Sequence, residues 1–290
     1  MSNKTDRFKQ MGDITHYAKI YTYPCGVVDV ICSSKPIFRE EGWEDAAWRQ
    51  EAPPAASGRE KEAKHDGGES DIMRSMRRAK SRVRRMALSN DFRWFVTLTL
   101  DPAKVDRYDA AAVVKKLNNW CSNQVKRRGL KYILVPERHK DGALHFHGFF
   151  NDALEAVASG HRDKQGHMIF NLPGWSLGFT AAIAVYGDYA GAVAYVCKYI
   201  GKQGDKPAGR WYYSGGDLRE PDALYAEISP RELAAQYGER VFQFSVPGAS
   251  MAVANGLRTD KTPPEGGFWE QIEMEEMLHE FDDWGHQSSD

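Results

Sequence analysis

The stretch that decides the fold reads Lys131-Tyr-Ile-Leu-Val-Pro-Glu-Arg-His-Lys-Asp-Gly-Ala-Leu-His-Phe-His-Gly-Phe-Phe150. Two runs rich in β-branched and aromatic residues flank the pair Asp141-Gly142. Asp-Gly between such runs signals a hairpin. The reading is a strand over Lys131–Glu137, a turn over His139–Ala143 and a strand over Leu144–Phe150. Side chains alternate along a strand, so His145 and His147 share one face. Glu137 precedes His145 by eight residues across the turn. If it faces either histidine its carboxylate joins that face, and a two-residue error in register changes nothing, whereas a one-residue slip breaks the arrangement.

Two imidazoles and a carboxylate on one face can hold one divalent cation and leave positions open for water and a phosphate oxygen. The mixed nitrogen and oxygen set suits Mg²⁺ or Mn²⁺, and accepts Zn²⁺ or Ni²⁺ in vitro. A His-x-His pair by itself is commonly incidental, and the glutamate across the turn is what gives it weight. His139 is a competing ligand, placed second by its position in the turn.

Working outward, Phe92–Leu100 reads as a strand that Asp101-Pro102 ends. Ala110–Arg128 reads as a helix with the apolar stripe Val113, Val114, Leu117, Trp120 and Val125, and with Gly129 as its stop. Gly178–Val185 reads as a fourth strand, and Asp188–Lys202 as a helix with Asp188 as N-cap. The order β-α-β-β-β-α implies an α+β fold: an antiparallel central sheet with helices packed on one face.

The last of those helices contains Tyr195-Val-Cys-Lys-Tyr-Ile-Gly-Lys202. On a helix Tyr195 and Tyr199 are i,i+4 neighbours, as are Lys198 and Lys202, and each tyrosine is followed at i+3 by a lysine. A phenol that ionises near pH 10 is a poor nucleophile at neutral pH and needs a nearby cation or base. Read alone, the segment is equally an amphipathic helix with half-buried tyrosines.

Charge is unevenly distributed. The 290 residues sum to a net charge of -1, yet residues 71–210 hold 24 Lys and Arg against 12 Asp and Glu, with the acidic excess on either side. A basic middle points to a polyanion partner. Ile72–Leu88 concentrates that charge in Arg74, Arg77, Arg78, Lys80, Arg82, Arg84 and Arg85, offset only by Asp71. It reads as a basic helix that contacts phosphates, with Arg74, Arg77, Arg78, Arg82 and Arg85 as the DNA-binding candidates.

Residues 1–70 read as an arm with a β-rich patch (Tyr21–Tyr23, Gly26–Cys32) and a turn-forming, charged linker. Residues 71–222 form the expected core. In the extension over 223–290, Arg240–Val246 reads as a strand, and Glu265–Asp290 carries nine acidic residues, no Lys or Arg, and an amphipathic helical pattern. Cys25, Cys32, Cys121 and Cys197 form no CxxC pair and read as reduced thiols rather than a disulfide framework. No apolar run is long enough to span a membrane, and no signal peptide opens the chain, so a cytoplasmic protein is expected.

With these motifs in order, the sequence resembles the HUH endonucleases, in particular the replication initiators of rolling-circle phages and plasmids. Phe95-Val-Thr-Leu-Thr99 matches the hydrophobic first motif and His145-Phe-His147 the second. Glu137 is similar to the acidic third ligand found eight residues upstream in some members. Tyr195-Val-Cys-Lys198 and Tyr199-Ile-Gly-Lys202 match the YxxK third motif twice. Ser75–Lys80, Trp175–Gly178 and Trp211–Ser214 fit the same pattern, so the resemblance covers about Arg74 to Pro221. The nucleophile lies C-terminal to the histidines, as in initiators rather than conjugative relaxases.

The resemblance implies a ferredoxin-like palm with the histidines on a central strand. It also implies a site-specific nicking-joining endonuclease acting on single-stranded origin DNA in a bacterial host. Glu137, His145 and His147 would hold Mg²⁺ or Mn²⁺, and Tyr195 and Tyr199, assisted by Lys198 and Lys202, would form a 5′-phosphotyrosine. No Walker A motif is present, so unwinding falls to a host helicase and synthesis to a DNA polymerase. Three other readings compete. A single-strand transposase of the same superfamily is made less favoured by the chain length and the two tyrosines. A hydrolytic metallonuclease predicts no covalent adduct. A non-catalytic RRM-like module predicts solvent-facing aromatics on the central strands; the candidate face offers only Phe149 beside the histidines.

Overall fold

The computed structural model describes residues 15–38 and 68–258, apart from 165, 186, 188, 203, 247 and 248. The elements are β1 Thr15–Thr22, β2 Val27–Phe38, α1 Gly68–Leu88, β3 Trp94–Leu100, α2 Ala110–Arg128, β4 Tyr132–Arg138, β5 Leu144–Phe150, β6 Val157–Arg162, β7 Met168–Asn171, β8 Gly178–Ala184, α3 Tyr189–Tyr199, β9 Tyr213–Gly215, β10 Ala223–Ala226, α4 Pro230–Tyr237, β11 Val241–Val246 and β12 Ala249–Arg258. They fall into two units, each α+β and each built on an antiparallel sheet.

The larger unit, over described residues 68–221, contains a seven-stranded sheet in the order β6-β7-β8-β3-β5-β4-β9. Alternation along β3 separates its two faces. Trp94, Val96, Leu98 and Leu100 point to one side and pack with Phe146 and Phe150 of β5 and with Val113, Leu117 and Trp120 of α2. Phe95 and Thr97 point to the other side, where Tyr195 of α3 meets Phe95 at a ring-centroid distance of 5.3 Å. Helices therefore cover both faces, and the expectation of helices on one face is corrected. The reason is in β5, which is buried along its whole length and needs cover on both sides.

The local signals explain the elements that hold the site. Asp109 caps α2 by accepting from the amides of Ala111 and Ala112, and Gly129 closes it in the left-handed region. The β4–β5 turn is closed by the His139 amide donating to the Ala143 carbonyl at 2.9 Å, with Asp141 accepting from the Ala143 amide. α1 is strapped down by its neighbours: the Tyr189 hydroxyl donates to the Ala87 carbonyl, and the Trp211 indole donates to Ser75.

The second unit joins β1 and β2 to the segment from residue 222 in a five-stranded sheet, β10-β1-β2-β12-β11. Ala18, Val30, Cys32, Ala252, Ala254 and Leu257 form its core with Leu233 of α4. That helix opens on a capping box, Ser229 with Glu232, and on Pro230. No disulfide joins the cysteines; Cys32 and Cys121 are buried. No helix among the described residues is long and apolar enough to cross a membrane. The expected Asp188 N-cap and acidic tail helix lie outside the described residues.

Candidate metal centre and tyrosine pair

The β4–β5 hairpin sets the register on which the site depends. Glu137 pairs with His145 and Val135 with His147, so the carboxylate and both imidazoles stand on one face. On the other flank of β5, Thr99 of β3 pairs with His145 and Thr97 with His147. Glu137, His145 and His147 are all buried, and one ligand atom from each falls within 4.8 Å of the others. The group can hold a metal ion.

The hydrogen bonding of the cluster fits that use. His147 Nδ1 lies 3.1 Å from Thr97 Oγ1, which turns Nε2 toward the carboxylate. Nε2 is 3.0 Å from Glu137 Oε2, yet it is buried and no group among the described residues meets it in hydrogen-bonding geometry. An orphaned ring nitrogen beside a carboxylate oxygen is what a ligand set presents before the ion is counted. Burial pulls the His147 pKa down, outweighing its carboxylate partner, so the ring is neutral, as a ligand must be. Burial works against the Glu137 charge. The hydrogen bonds from His145 and His147 and the Lys202 ammonium more than offset it and hold the carboxyl far below the usual carboxylate range.

Lys202 reaches the cluster because α3 stops early. The sequence pattern extends the helix to Lys202, but it ends at Tyr199 and Gly201 takes a φ of 82°. A Cβ at Gly201 would also run into the Met76 side chain of α1. Glycine is required on both counts. The turn swings Lys202 back, and its Nζ donates to Glu137 Oε1 at 2.8 Å. Lys198 is exposed, and among the described residues it bonds to none of the cluster. The i,i+4 lysine pair on one helical face is corrected accordingly.

Both tyrosines are buried against the histidines. The Tyr199 ring stacks on His147 with centroids 4.3 Å apart and planes 16° apart. The Tyr195 and Tyr199 hydroxyls hydrogen-bond to one another. Burial pushes Tyr195 up to about 12, although its bond to Tyr199 acts the other way. Burial pushes Tyr199 higher still, because it would ionise beside Tyr195 and Glu137. His139 stacks at 3.9 Å from His145 but is not in the ligand group.

The basic helix stands apart from this cluster. Arg74, Arg77, Arg78 and Arg82 are exposed on α1, and Arg85 is half-buried. Arg74 pairs with Asp71 at 2.8 Å and Arg82 with Glu220 at 3.4 Å, so part of the charge is already met at the surface. Sequence reasoning missed Thr97, the Tyr199 stack and the Lys202–Glu137 bond. The alternation that put the histidines on one face also places Thr97 there, so the first could have been found. Phe149 is not the only aromatic on this face: it is fully buried, and Phe95 and Phe179 share the face.

No curated protein and no solved structure matches the chain. Residues 93–204, which carry the hairpin, the Glu/His/His cluster and both tyrosines but not the arginines of α1, match a family of replication-associated proteins of the ORF2 type.

Proposed function

We propose that this chain is a site-specific single-strand DNA endonuclease and ligase of the HUH type, which nicks a replication origin and starts rolling-circle replication. The observation that carries the reading is the Tyr199 ring stacked on His147 while its hydroxyl meets that of Tyr195. A hydrolytic metallonuclease has no use for paired phenols there, and a binding module has none for a buried Glu/His/His group.

Mg²⁺ or Mn²⁺ held by Glu137, His145 and His147 would polarise the scissile phosphate and offset its charge. The phenolic oxygen of Tyr195 or Tyr199 bonds to phosphorus as the bond to the 3′ oxygen breaks. The proton given up by the phenol is balanced by the one the 3′ oxygen gains, and the 5′ phosphate stays on the enzyme as an ester. Because burial holds Tyr195 near 12, its proton leaves during attack rather than before it. Lys202 holds Oε1 of Glu137, which keeps Oε2 turned to the histidines. The ester conserves the bond energy, so a later attack by a 3′-hydroxyl rejoins the strand without ATP. The free 3′-hydroxyl serves a host DNA polymerase, and a host helicase unwinds, in the bacterial cytoplasm.

The test is incubation with a randomised pool of labelled single-stranded oligonucleotides and Mn²⁺. A denaturant-resistant protein–DNA adduct, abolished by EDTA, is expected. Cleavage with no adduct identifies the hydrolytic enzyme, and binding with no cleavage identifies the binding module.

A further inference from the structure

The metal cluster lies at one end of a row that crosses four adjacent strands. Glu137 of β4 pairs with His145 of β5, His145 with Thr99 of β3, and Thr99 with Phe179 of β8. Directly paired residues point to the same face, so Phe179 stands on the face that carries the cluster. Exposure changes along the row. Glu137 and His145 are 5% and 3% exposed, Thr99 is half-buried, and Phe179 is 50% exposed. The ring stands clear because its surroundings are small. Ala181 is the next residue of β8 on this face, and Gly178 precedes it. A Cβ at Gly178 would run into the Thr99 carbonyl, so the glycine lets β8 press onto β3 and brings Phe179 into line.

An apolar ring left half in water on a sheet face next to a phosphate-handling site has a chemical match in the substrate. A nucleobase has a flat π-face, and stacking on an aromatic side chain tolerates any base. Two strand spacings separate Phe179 from His145, about 10 Å. That is about three nucleotide steps of roughly 3.4 Å along a stacked strand. We propose that Phe179 is the platform on which a base of the bound single strand stacks, within a few nucleotides of the phosphate held at Glu137, His145 and His147. This rests on the reading that the site takes single-stranded DNA. It adds a positioning contact that neither the metal group nor the tyrosines provide.

The experiment compares wild type, Phe179→Ala and Phe179→Tyr for binding of labelled oligothymidylate over a salt titration, in EDTA so that no strand is cut. Phe179→Ala is expected to bind about tenfold more weakly, with Phe179→Tyr close to wild type. The slope of log K against log salt should not change, because stacking neutralises no phosphate. An oligonucleotide carrying 5-iodouracil should cross-link under ultraviolet light to the peptide that contains Phe179. Unchanged affinity of Phe179→Ala, a slope that falls with the affinity, or cross-links confined to other peptides overturns the platform. The same preparations are assayed for adduct with Mn²⁺ and the randomised pool. Adduct formation by wild type together with unaltered binding by Phe179→Ala removes the platform alone. Wild type that neither binds nor forms an adduct removes the reading beneath it as well.

Discussion

The ammonium of Lys202 lies 2.8 Å from Oε1 of Glu137, while Oε2 of the same carboxylate lies 3.2 Å from Nε2 of His145. The two oxygens thus have separate duties, one held by the turn after α3 and one facing the histidines. Removing the ammonium frees the carboxylate to rotate without deleting a ligand. Lys202→Met is expected to slow adduct formation about 10- to 100-fold, the range of partners that orient ligands. Mn²⁺ affinity, measured by calorimetry, should fall less than in Glu137→Gln. An adduct rate equal to wild type would leave Lys202 without a positioning role.

Metal binding should appear as stability. An ion that binds only the folded chain adds about 2.7 kcal/mol at 100 times its Kd. Mn²⁺ should therefore raise the melting temperature of wild type, and EDTA should reverse the rise. His147→Gln should lose the response, since Gln keeps much of the ring's volume but not its Nε2. A Mn²⁺ response in the variant equal to that of wild type would place the ion elsewhere.

Acid should destabilise the metal-free chain in a defined window. The folded His147 has its pKa lowered from 6.5, so below 6.5 the unfolded chain binds the proton more readily and stability falls with pH. Glu137 is lowered from 4.5, and its contribution has the same sign, being lost as pH falls below that value. Urea unfolding in EDTA from pH 7 to 5 isolates the histidine. The slope for one proton is at most about 1.4 kcal/mol per pH unit. His147→Gln should flatten the curve there, and an identical slope in the variant would assign the acid sensitivity to other groups.

The arginines of α1 are tested through salt. Arg77, Arg78 and Arg82 are exposed, and Arg82 is 3.4 Å from Glu220, a surface pair of little energetic weight. The triple reversal to Glu should weaken single-strand binding. It should also reduce the slope of log K against log salt by about 2, at about 0.7 per lost contact. A weaker complex with the wild-type slope would make α1 a structural helix.

The parts of the fold that were legible share one property: their signals are local. The Asp141-Gly142 turn, the alternation of Leu144–Phe150 and the stop at Gly129 each lie within a few residues, and β5 and α2 fall where the sequence puts them. The capping box Ser229-Pro-Arg-Glu232 was equally readable and was passed over. β6 carried no such signal. Its residues, Val157-Ala-Ser-Gly-His-Arg162, are small or polar, and it lies at the sheet edge. The pairing of β2 with β12 links segments more than two hundred residues apart, such as Cys32 with Ala252, and nothing near either announces the other. The end of α3 is decided by tertiary packing. Tyr199-Ile-Gly-Lys202 tolerates a helix, but Met76 of α1 occupies the space beside Gly201, and the reach of Lys202 to Glu137 follows from that contact.

The tyrosine pair makes the sharpest prediction about mechanism. Tyr195 and Tyr199 are one helical turn apart, both buried, with hydroxyls in contact. Either phenol can donate to the other, so when one becomes the ester oxygen its neighbour is placed to hydrogen-bond to it. That arrangement suits two nucleophiles used in turn, one to open the strand and one to accept it after a round of synthesis. They are not equivalent. Tyr199 lies flat on His147, whereas Tyr195 meets Phe95 edge-on and has the lower pKa of the two, about 12. Tyr195 is therefore expected to act first. Tyr195→Phe should lose most of the initial adduct, while Tyr199→Phe should form it and fail in strand transfer. The double variant should do neither. Adduct yield and strand transfer on a labelled oligonucleotide separate the cases. If Tyr199→Phe matches wild type in both steps, Tyr199 only packs against the histidine, and the alternating mechanism is wrong.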